Sequence, residues 1–289
     1  MVAEYKNNHY VPEMLVRRFS DGNGSPFYYD KRRPENPIQR RNPRKIFCED
    51  YLYVDVDKDG NRDVSLERDI YAKLENDAAL IIDKIVEAAG KGKTPSLSQV
   101  EKSKWDEFLY QQWQRTPDAL AKLGATFNFQ EELEGSLAFF EKYGRPITPV
   151  EHAKFTDPSF LDRLKKSAFI GSLKGKSSQT QKALGSRGLG IVKISDSKKS
   201  FIVGSFPVVK LTFQGRTHLT DPSVEAWLPI SHDVAVTPWG SNGDEKIVAI
   251  DGQATMQINQ YICDQSNEIA GRSAELLHSL WPEARLPSK

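Results

Sequence analysis

The spacing of apolar residues predicts strands near the start of the chain, helices in the middle, and strands again before a last helix. Short apolar runs at 27–29, at 51–56 and after Asn61 favour strands. The polar run 57–60 between the last two is typical of a hairpin turn. After Gly188, β-rich runs return at 190–194, 201–203, 208–213, 234–237 and 247–250.

Apolar residues recur at helical spacing in the intervening segments. The pattern predicts helices over 12–19, 65–90, 129–143, 158–173 and 253–280, and one that opens at Ser96 or Ser98 and stops at Pro117. Ser65 is expected to be the N-cap of the long helix. The residue before a proline disfavours the α conformation, which is why Pro117 ends its helix.

The order of elements predicts an α+β fold with mainly antiparallel strands, a central helical region and a C-terminal helix. The Ser-, Gly-, Lys- and Gln-rich stretch 171–190 is predicted to be a mobile loop or linker. A length of 289 residues fits one domain over 1–289. A subdivision into an α+β part at 1–174 and a β-rich part with a helix at 188–289 is the alternative.

Composition excludes some classes of protein. Lys and Arg number 40 against 39 Asp and Glu, and this balance argues against a globally basic nucleic-acid binder. Only Cys48 and Cys263 occur, which favours a reducing compartment and small buried thiols. The polar opening and the absence of an apolar run of about 20 residues predict a cytoplasmic protein with no membrane partner.

The first candidate constellation is the segment 9–12, His-Tyr-Val-Pro, followed by Arg17 and Phe19. A histidine beside the N-terminus of a helix is expected to stay neutral, since the helix dipole disfavours the imidazolium. His9 could then act as a base or a ligand. The alternative is an ordinary structural histidine.

The second constellation is the end of the central helix, 111–117. Phe108, Gln111 and Arg115 share one helix face, and Gln112 lies on the adjacent one. Arg115 could bind a phosphate or carboxylate with two hydrogen bonds. It could equally brace a neighbouring strand or loop.

A basic segment spans residues 31–45, with seven Lys or Arg residues against Glu35 alone, a local charge of +6. Such a segment could follow a phosphodiester backbone. The alternative is a solvated loop offset by nearby acids. Neither a phosphate loop, nor a zinc-type cysteine spacing, nor a nucleophile elbow occurs, so no metal ligands are assigned and the cofactor stays unknown.

These motifs together resemble the bacterial domain-of-unknown-function family 4238. The family's Asn-x-His-Tyr-Val-Pro corresponds to residues 7–12, its Gln-x-x-Arg-Thr-Pro to 112–117, and a helix with an Asn to Asn259. Its Ser-Asp-x-Pro-Val corresponds to 204–208, but this chain has Gly204 and Ser205 there. Any role of that acid would therefore be missing or supplied elsewhere.

The resemblance implies an accessory or effector protein of mobile elements or defence loci, which is an association and not a mechanism. The motifs lead to two hypotheses: a nucleic-acid- or nucleotide-directed hydrolase, or a non-catalytic binding, sensor or scaffold module with a phage or toxin protein as partner. In the first, His9, Gln112 and Arg115 are the catalytic candidates. Substrate binding is assigned to Tyr10, Arg17, Arg32, Arg33, Arg40, Arg41, Ser205 and Asn259.

Overall fold

The chain folds as a mixed α+β protein with mostly antiparallel sheets, a central helical region and a C-terminal helix. The computed structural model describes residues 6–56, 61–126, 128–175, 177–212, 219, 221 and 223–287. The predicted fold class is confirmed. The turn predicted at 57–60 lies outside the described residues.

The described strands fall into two main sheets and two short pairs. In chain order they are β1 (Asn7–His9), β2 (Phe27–Asp30), β3 (Gln39–Arg40), β4 (Cys48–Asp50), β5 (Asp55–Val56), β6 (Arg62–Asp63), β7 (Gly188–Ile194), β8 (Val203–Gly204), β9 (Val209–Leu211), β10 (Glu225–Pro229), β11 (Val234–Trp239), β12 (Glu245–Ile250) and β13 (Glu268–Gly271). The five-stranded sheet has the order β12-β7-β11-β10-β9. Its one parallel pair is β12 with β7.

The helices lie mainly between β6 and β7. They are α1 (Glu13–Val16), α2 (Ala72–Gly90), α3 (Gln99–Gln114), α4 (Pro117–Thr126), α5 (Phe129–Tyr143), α6 (Pro149–Phe155), α7 (Pro158–Lys174), α8 (Ser178–Gly185), α9 (Gly252–Gln265) and α10 (Ala274–Leu280). Short 3-10 turns cover Arg17–Phe19 and Pro43–Lys45, and a π-helix covers Leu66–Tyr71.

The four-stranded sheet joins distant parts of the chain. Its order is β3-β2-β13-β8, so β13 lies between a strand from near residue 30 and one from near residue 203. This position explains why the predicted helix over 253–280 is wrong in its middle. The segment Glu268–Gly271 pairs on both edges, and such pairing outweighs the helical spacing of its apolar residues.

The prediction of a mobile linker over 171–190 is also wrong. Its first residues complete α7, its centre forms α8, and its end begins β7. Ser177 caps α8 by accepting a hydrogen bond from the Thr180 amide, while Ala183 and Leu184 are buried. The stretch is therefore ordered by a helix cap and by buried apolar side chains.

The predicted ends of α3 are confirmed, whereas the predicted N-cap at Ser65 is wrong. Ser98 is the N-cap of α3 and forms a full capping box with Glu101, and α3 ends before Pro117 as expected. Ser65 is not a cap, because it is already helical and its side chain makes no capping bond. Asp63 instead accepts a hydrogen bond from the Ser65 amide at 2.8 Å.

One buried core connects the two sheets with α1, α2, α3, α9 and α10. Cys263 is fully buried and Cys48 is half-buried, and both are free thiols. No helix in the described ranges is long and apolar enough to cross a membrane.

Candidate active site

Arg115 lies at the end of α3 and is fully buried among groups from three other segments. Its Nη2 donates to Glu75 Oε1 at 2.8 Å, and its Nε donates to the Tyr10 backbone carbonyl at 3.0 Å. The guanidinium also stacks on the Tyr71 ring, 4.7 Å from the ring centre. Burial opposes the charge, but Glu75 raises the pKa of Arg115 further, so the group stays a cation.

Two neighbouring side chains make further hydrogen bonds with Arg115. With its amide oxygen turned toward the guanidinium, Gln112 accepts hydrogen bonds from Nη2 at 3.1 Å and from Nε at 3.0 Å. The Tyr53 hydroxyl donates to the Arg115 carbonyl at 2.6 Å. The Nη1 atom of Arg115, in contrast, is buried with no hydrogen-bond partner. One donor of a buried cation is therefore left unused.

His9 belongs to the same electrostatic cluster. It ends β1, and its ring makes a hydrogen bond to the Pro43 backbone. Burial lowers the pKa of His9, and the Arg115 cation lowers it further, although Glu75 and Glu13 act in the opposite direction. Burial is therefore the main cause that favours the neutral ring. Its Nε2 atom is buried without a partner.

Glu67 is a third member that sequence analysis missed. Burial raises the pKa of its carboxyl to about 7, with Glu75 adding to the rise and Arg115 opposing it. Its Oε2 atom is buried without a hydrogen-bond partner. A carboxyl that is half-protonated near neutral pH can either give or take a proton.

The backbone around this cluster departs from regular geometry in two places. Glu67 lies in the π-helix Leu66–Tyr71, and π-helical turns are frequent at functional sites. Phe47, whose carbonyl accepts from the Tyr10 amide at 3.0 Å, has a φ of 53°. A left-handed conformation in a bulky residue is strained and persists only where its surroundings hold it.

A second set of polar contacts links the sequence motifs to one another. The Tyr10 hydroxyl donates to Glu268 Oε1 at 2.7 Å, and the Tyr28 hydroxyl donates to Oε2 at the same distance. The Glu268 amide donates to Ser205 Oγ at 3.1 Å, and Ser205 in turn bonds to Asp118. Asp118 follows Arg115 by three residues, so the contacts close a ring through all these motifs.

The hydroxyl of Ser205 is therefore occupied by hydrogen bonds within the protein. Its hydroxyl accepts from the amides of Asn267 and Glu268 and donates to the buried carboxylate of Asp118. In this chain, the carboxylate beside position 205 belongs to Asp118 on α4. Asp118 also accepts from the Asn267 side chain.

Most cations of the basic segment 31–45 are paired with acids. Arg32 bonds to Asp30 and Glu268, Arg33 lies 3.8 Å from Asp30, and Arg40 pairs with Asp21. Arg44 lies 3.3 Å from Glu13. Asp30 directly precedes this segment in sequence, whereas the fold brings in Glu13, Asp21 and Glu268 from other segments.

A cavity of about 260 Å³ lies beside this segment. Arg33, Arg41 and Lys45 line it together with Tyr28 and Asp30. Arg41 and Lys45 form no ion pair with any residue that the structure describes. The 3-10 turn Pro43–Lys45 connects the cavity to the cluster, since Pro43 bonds to His9 while Lys45 lines the cavity.

The remaining predicted binding residues lie elsewhere. Arg17 is exposed and pairs with Glu13. Asn259 is fully buried in α9, where its Oδ1 accepts from the Ile202 amide at 3.0 Å and its Nδ2 donates to the Ser200 carbonyl at 2.8 Å. Within the described ranges, no three His, Cys, Asp or Glu side chains are placed to hold a metal ion.

The structure thus brings His9, Gln112, Arg115 and the backbone of Tyr10 together, and adds Glu67 and Glu75. One signal in the sequence could have revealed the two acids. Glu67, Tyr71 and Glu75 recur every four residues, so a helix places them on one face, beside the apolar stripe. A charged group on such a face needs a partner wherever packing buries it.

The chain is thus an α+β protein in which the buried Arg115 joins the N-terminal His-Tyr-Val-Pro segment to the central helix. The family model described as "Protein of unknown function (DUF4238)" matches residues 7–274. The chain therefore belongs to this family, as its motifs indicated. No curated protein and no solved structure matches the chain.

Proposed function

We propose that the chain is a hydrolase that acts on a nucleotide or nucleic acid, with His9 and Glu67 as its acid–base pair. The observation that carries the proposal is a set of three buried polar atoms without partners in one electrostatic cluster: His9 Nε2, Glu67 Oε2 and Arg115 Nη1. Buried polar groups are normally paired, so an unpaired set marks a place where a ligand or water supplies the missing bonds.

The pKa shifts of His9 and Glu67 support the two proton-transfer roles that we propose. His9 has a lowered pKa and is neutral at pH 7, so it can take a proton from an attacking water. Glu67 has a pKa of about 7 and can give its proton to the leaving oxygen. In hydrolysis of a phosphate ester, the water oxygen bonds to phosphorus as the bond to the leaving oxygen breaks. The proton of the attacking water moves to His9, and the proton of Glu67 moves to the leaving oxygen.

Arg115 would stabilise the negative charge that develops in the transition state. Its Nη1 supplies an unused cationic donor, and its contacts with Glu75, Gln112 and Tyr10 hold it in place. A fixed donor in a low-dielectric site stabilises developing negative charge without having to reorganise. Gln112 would position the guanidinium.

The cavity beside the Pro43–Lys45 turn supports an anionic substrate. Arg33, Arg41 and Lys45 outnumber Asp30 on its lining, and Tyr28 offers an aromatic surface. Phosphate groups attract such cations, and bases stack on aromatic rings. Arg32 and Arg40 are engaged by acids, which favours a small ligand over a long backbone.

A second candidate function is a non-catalytic binding or scaffold module. It is favoured by the full burial of Arg115 and its hydrogen bond to the Tyr10 carbonyl, which fastens the N-terminal segment to α3. In that case, His9 and Arg115 would contribute to stability alone. Loss of either would lower the melting temperature and change no activity.

The test is an activity assay on the purified chain with labelled single- and double-stranded DNA, RNA and mononucleotides, each with and without divalent cation. We expect turnover of at least one substrate. His9→Gln and Glu67→Gln should each reduce it by about 100-fold or more, the usual share of one acid or base. Arg41→Ala with Lys45→Ala should raise KM more than it lowers kcat.

Matched controls separate chemistry from folding. His152→Gln changes an exposed histidine on α6, and Asp69→Asn changes an exposed acid in the same π-helix as Glu67. Both should keep full activity, and circular dichroism should show all variants folded. No turnover by the wild-type chain, or unchanged turnover in His9→Gln, would reject the catalytic proposal.

A further inference from the structure

The segment 128–168, which we call the helical arm, contains no buried residue. It consists of α5, α6 and the first part of α7, and neither α5 nor α6 buries any side chain. Burial resumes only at Phe169, Ile170 and Leu173, where α7 meets the body of the protein. Helices of this length are marginal in water unless an apolar face is covered.

The arm has apolar side chains on two faces of α5. Phe129, Leu133 and Leu137 recur every four residues and are half-buried. Phe139 and Tyr143 lie four residues apart on another face, with their rings 4.6 Å apart and with exposures of 65% and 66%. On α6, Val150 is 72% exposed. A clustered aromatic surface of this kind marks a site of association.

The charges of the arm are divided between its helices. Helix α5 carries four acids and one base, a net charge of −3, from Glu131, Glu132, Glu134, Glu141 and Lys142. The arm portion of α7 carries Asp162 against Arg163, Lys165 and Lys166, a net charge of +2. The arm is thus acidic on one helix and basic on the other.

We infer that the helical arm is a dimerisation surface for a second copy of this chain. Within one chain α5 already packs on α7. A twofold axis adds a second contact, between α5 of one copy and α7 of the other, and does so twice, so that each acidic helix also meets the basic helix of the partner. Helices α5 and α7 of one copy do not enclose a core within the arm, whereas the four such helices of a dimer can. The Phe139–Tyr143 pair would form the centre of that four-helix core.

The partner is a second copy because the surface is complementary to itself. A different protein would need a basic surface opposite α5 and an acidic surface opposite α7. A second copy of this chain has both, since its own α7 is basic and its own α5 is acidic. The paired aromatic rings suit the buried centre of an interface, and the charges suit its rim.

The test is the mass of the full chain in solution, measured by sedimentation or by light scattering after gel filtration at micromolar concentration. We expect twice the 32.7 kDa of one chain. Phe139→Glu with Tyr143→Glu should give a monomer with an unchanged circular dichroism spectrum. Leu80→Glu is the matched control, since Leu80 is 72% exposed on α2, outside the arm, and this variant should remain a dimer.

Charge reversal provides a second, independent measurement. Glu132→Lys with Glu134→Lys should weaken the dimer, and so should Arg163→Glu with Lys165→Glu. An equimolar mixture of the two reversed chains should recover dimers, because each reversed helix then meets its opposite. A wild-type monomer, a dimer unaffected by the aromatic substitutions, or a mixture that stays monomeric would each overturn the inference.

Discussion

The Tyr10 hydroxyl donates a hydrogen bond to Glu268 Oε1 across 2.7 Å, joining residues 258 positions apart. Burial and the neighbouring carboxylate both raise the pKa of Tyr10, so its hydroxyl stays protonated and acts as the donor. This bond fixes the side chain of Tyr10 on β13 while its carbonyl holds Arg115. Tyr10 thus connects the candidate site to the sheet.

Replacing Tyr10 with Phe should destabilise the protein by about 1–3 kcal/mol, since a buried charged acceptor loses a donor. Urea denaturation measures the change. Tyr261→Phe, at a residue that is 51% exposed, should leave the midpoint unchanged. The double variant Tyr10→Phe with Tyr28→Phe should lower the free energy of unfolding by more than the sum of the two single substitutions. Glu268 then loses both of its tyrosine hydroxyl donors. An unchanged midpoint in Tyr10→Phe would contradict the assigned bond.

Replacing Arg115 with Met should destabilise the fold by about 3–5 kcal/mol, because Glu75 and the Tyr10 carbonyl lose their buried cationic partner. The free energy of unfolding in urea measures this loss. Arg145→Met is the control, as its pair with Glu151 is on the surface and should contribute nothing measurable. Equal stability of the two variants would show that the Arg115 cluster is not a structural anchor.

The pKa of Glu67 predicts how stability depends on pH. Its value is about 7 in the folded chain and 4.5 in a free side chain, so the folded state binds the proton more tightly. The associated stability is present below pH 4.5 and is lost as the pH rises through 7. Glu67→Gln, which keeps a neutral side chain, should therefore be more stable than wild type at pH 8, by no more than about 3 kcal/mol.

Melting curves of the two proteins between pH 4.5 and 8 check this prediction. The difference in Tm should be near zero at pH 4.5 and largest at pH 8. Asp69→Asn supplies the comparison, because an arginine partner lowers the pKa of Asp69 and the shift has the opposite sign. A constant difference between Glu67→Gln and wild type would show that the carboxyl titrates normally.

Restoring the family's Ser-Asp pair at positions 204 and 205 should destabilise this chain. A side chain on Gly204 would meet Ser266 Cβ at 2.8 Å and Ile262 Cγ2 at 2.9 Å, so Gly204→Ser should cost about 1–3 kcal/mol. Ser205→Asp would place a second carboxylate against Asp118. Thermal unfolding of each variant tests the prediction, with Ser205→Asn as the uncharged control. Wild-type stability in Ser205→Asp would show that the Asp118 side chain turns away.

Local chemistry made much of the fold predictable. Capping residues and proline located the ends of α3, and apolar spacing located α5 and α7. The errors came where distant partners decide the structure. The segment at Ile269 is helical by spacing but is a strand because β2 and β8 flank it. Likewise, Ala183 and Leu184 are ordered by burial that no local pattern reveals.

For the candidate site, sequence motifs identified His9, Gln112 and Arg115, which lie in one cluster. They did not identify Glu67 or Glu75, because an acid on a helix face is usually solvated and its burial depends on the partner helix. Nor did they reveal that Glu268 and Asp118 would engage Arg32 and Ser205. These pairings depend on contacts between segments more than 80 residues apart.

The placement of β13 at the centre of its sheet has a consequence for synthesis on the ribosome. Tyr28 is synthesised 240 residues before its hydrogen-bond partner Glu268. The edge of β2 that pairs with β13 therefore stays unpaired until almost all of the described chain has been translated. Uncovered strand edges invite pairing with other nascent chains. Slow translation or a shortage of chaperones should therefore reduce the yield of native protein more than it would for a fold assembled from neighbouring segments.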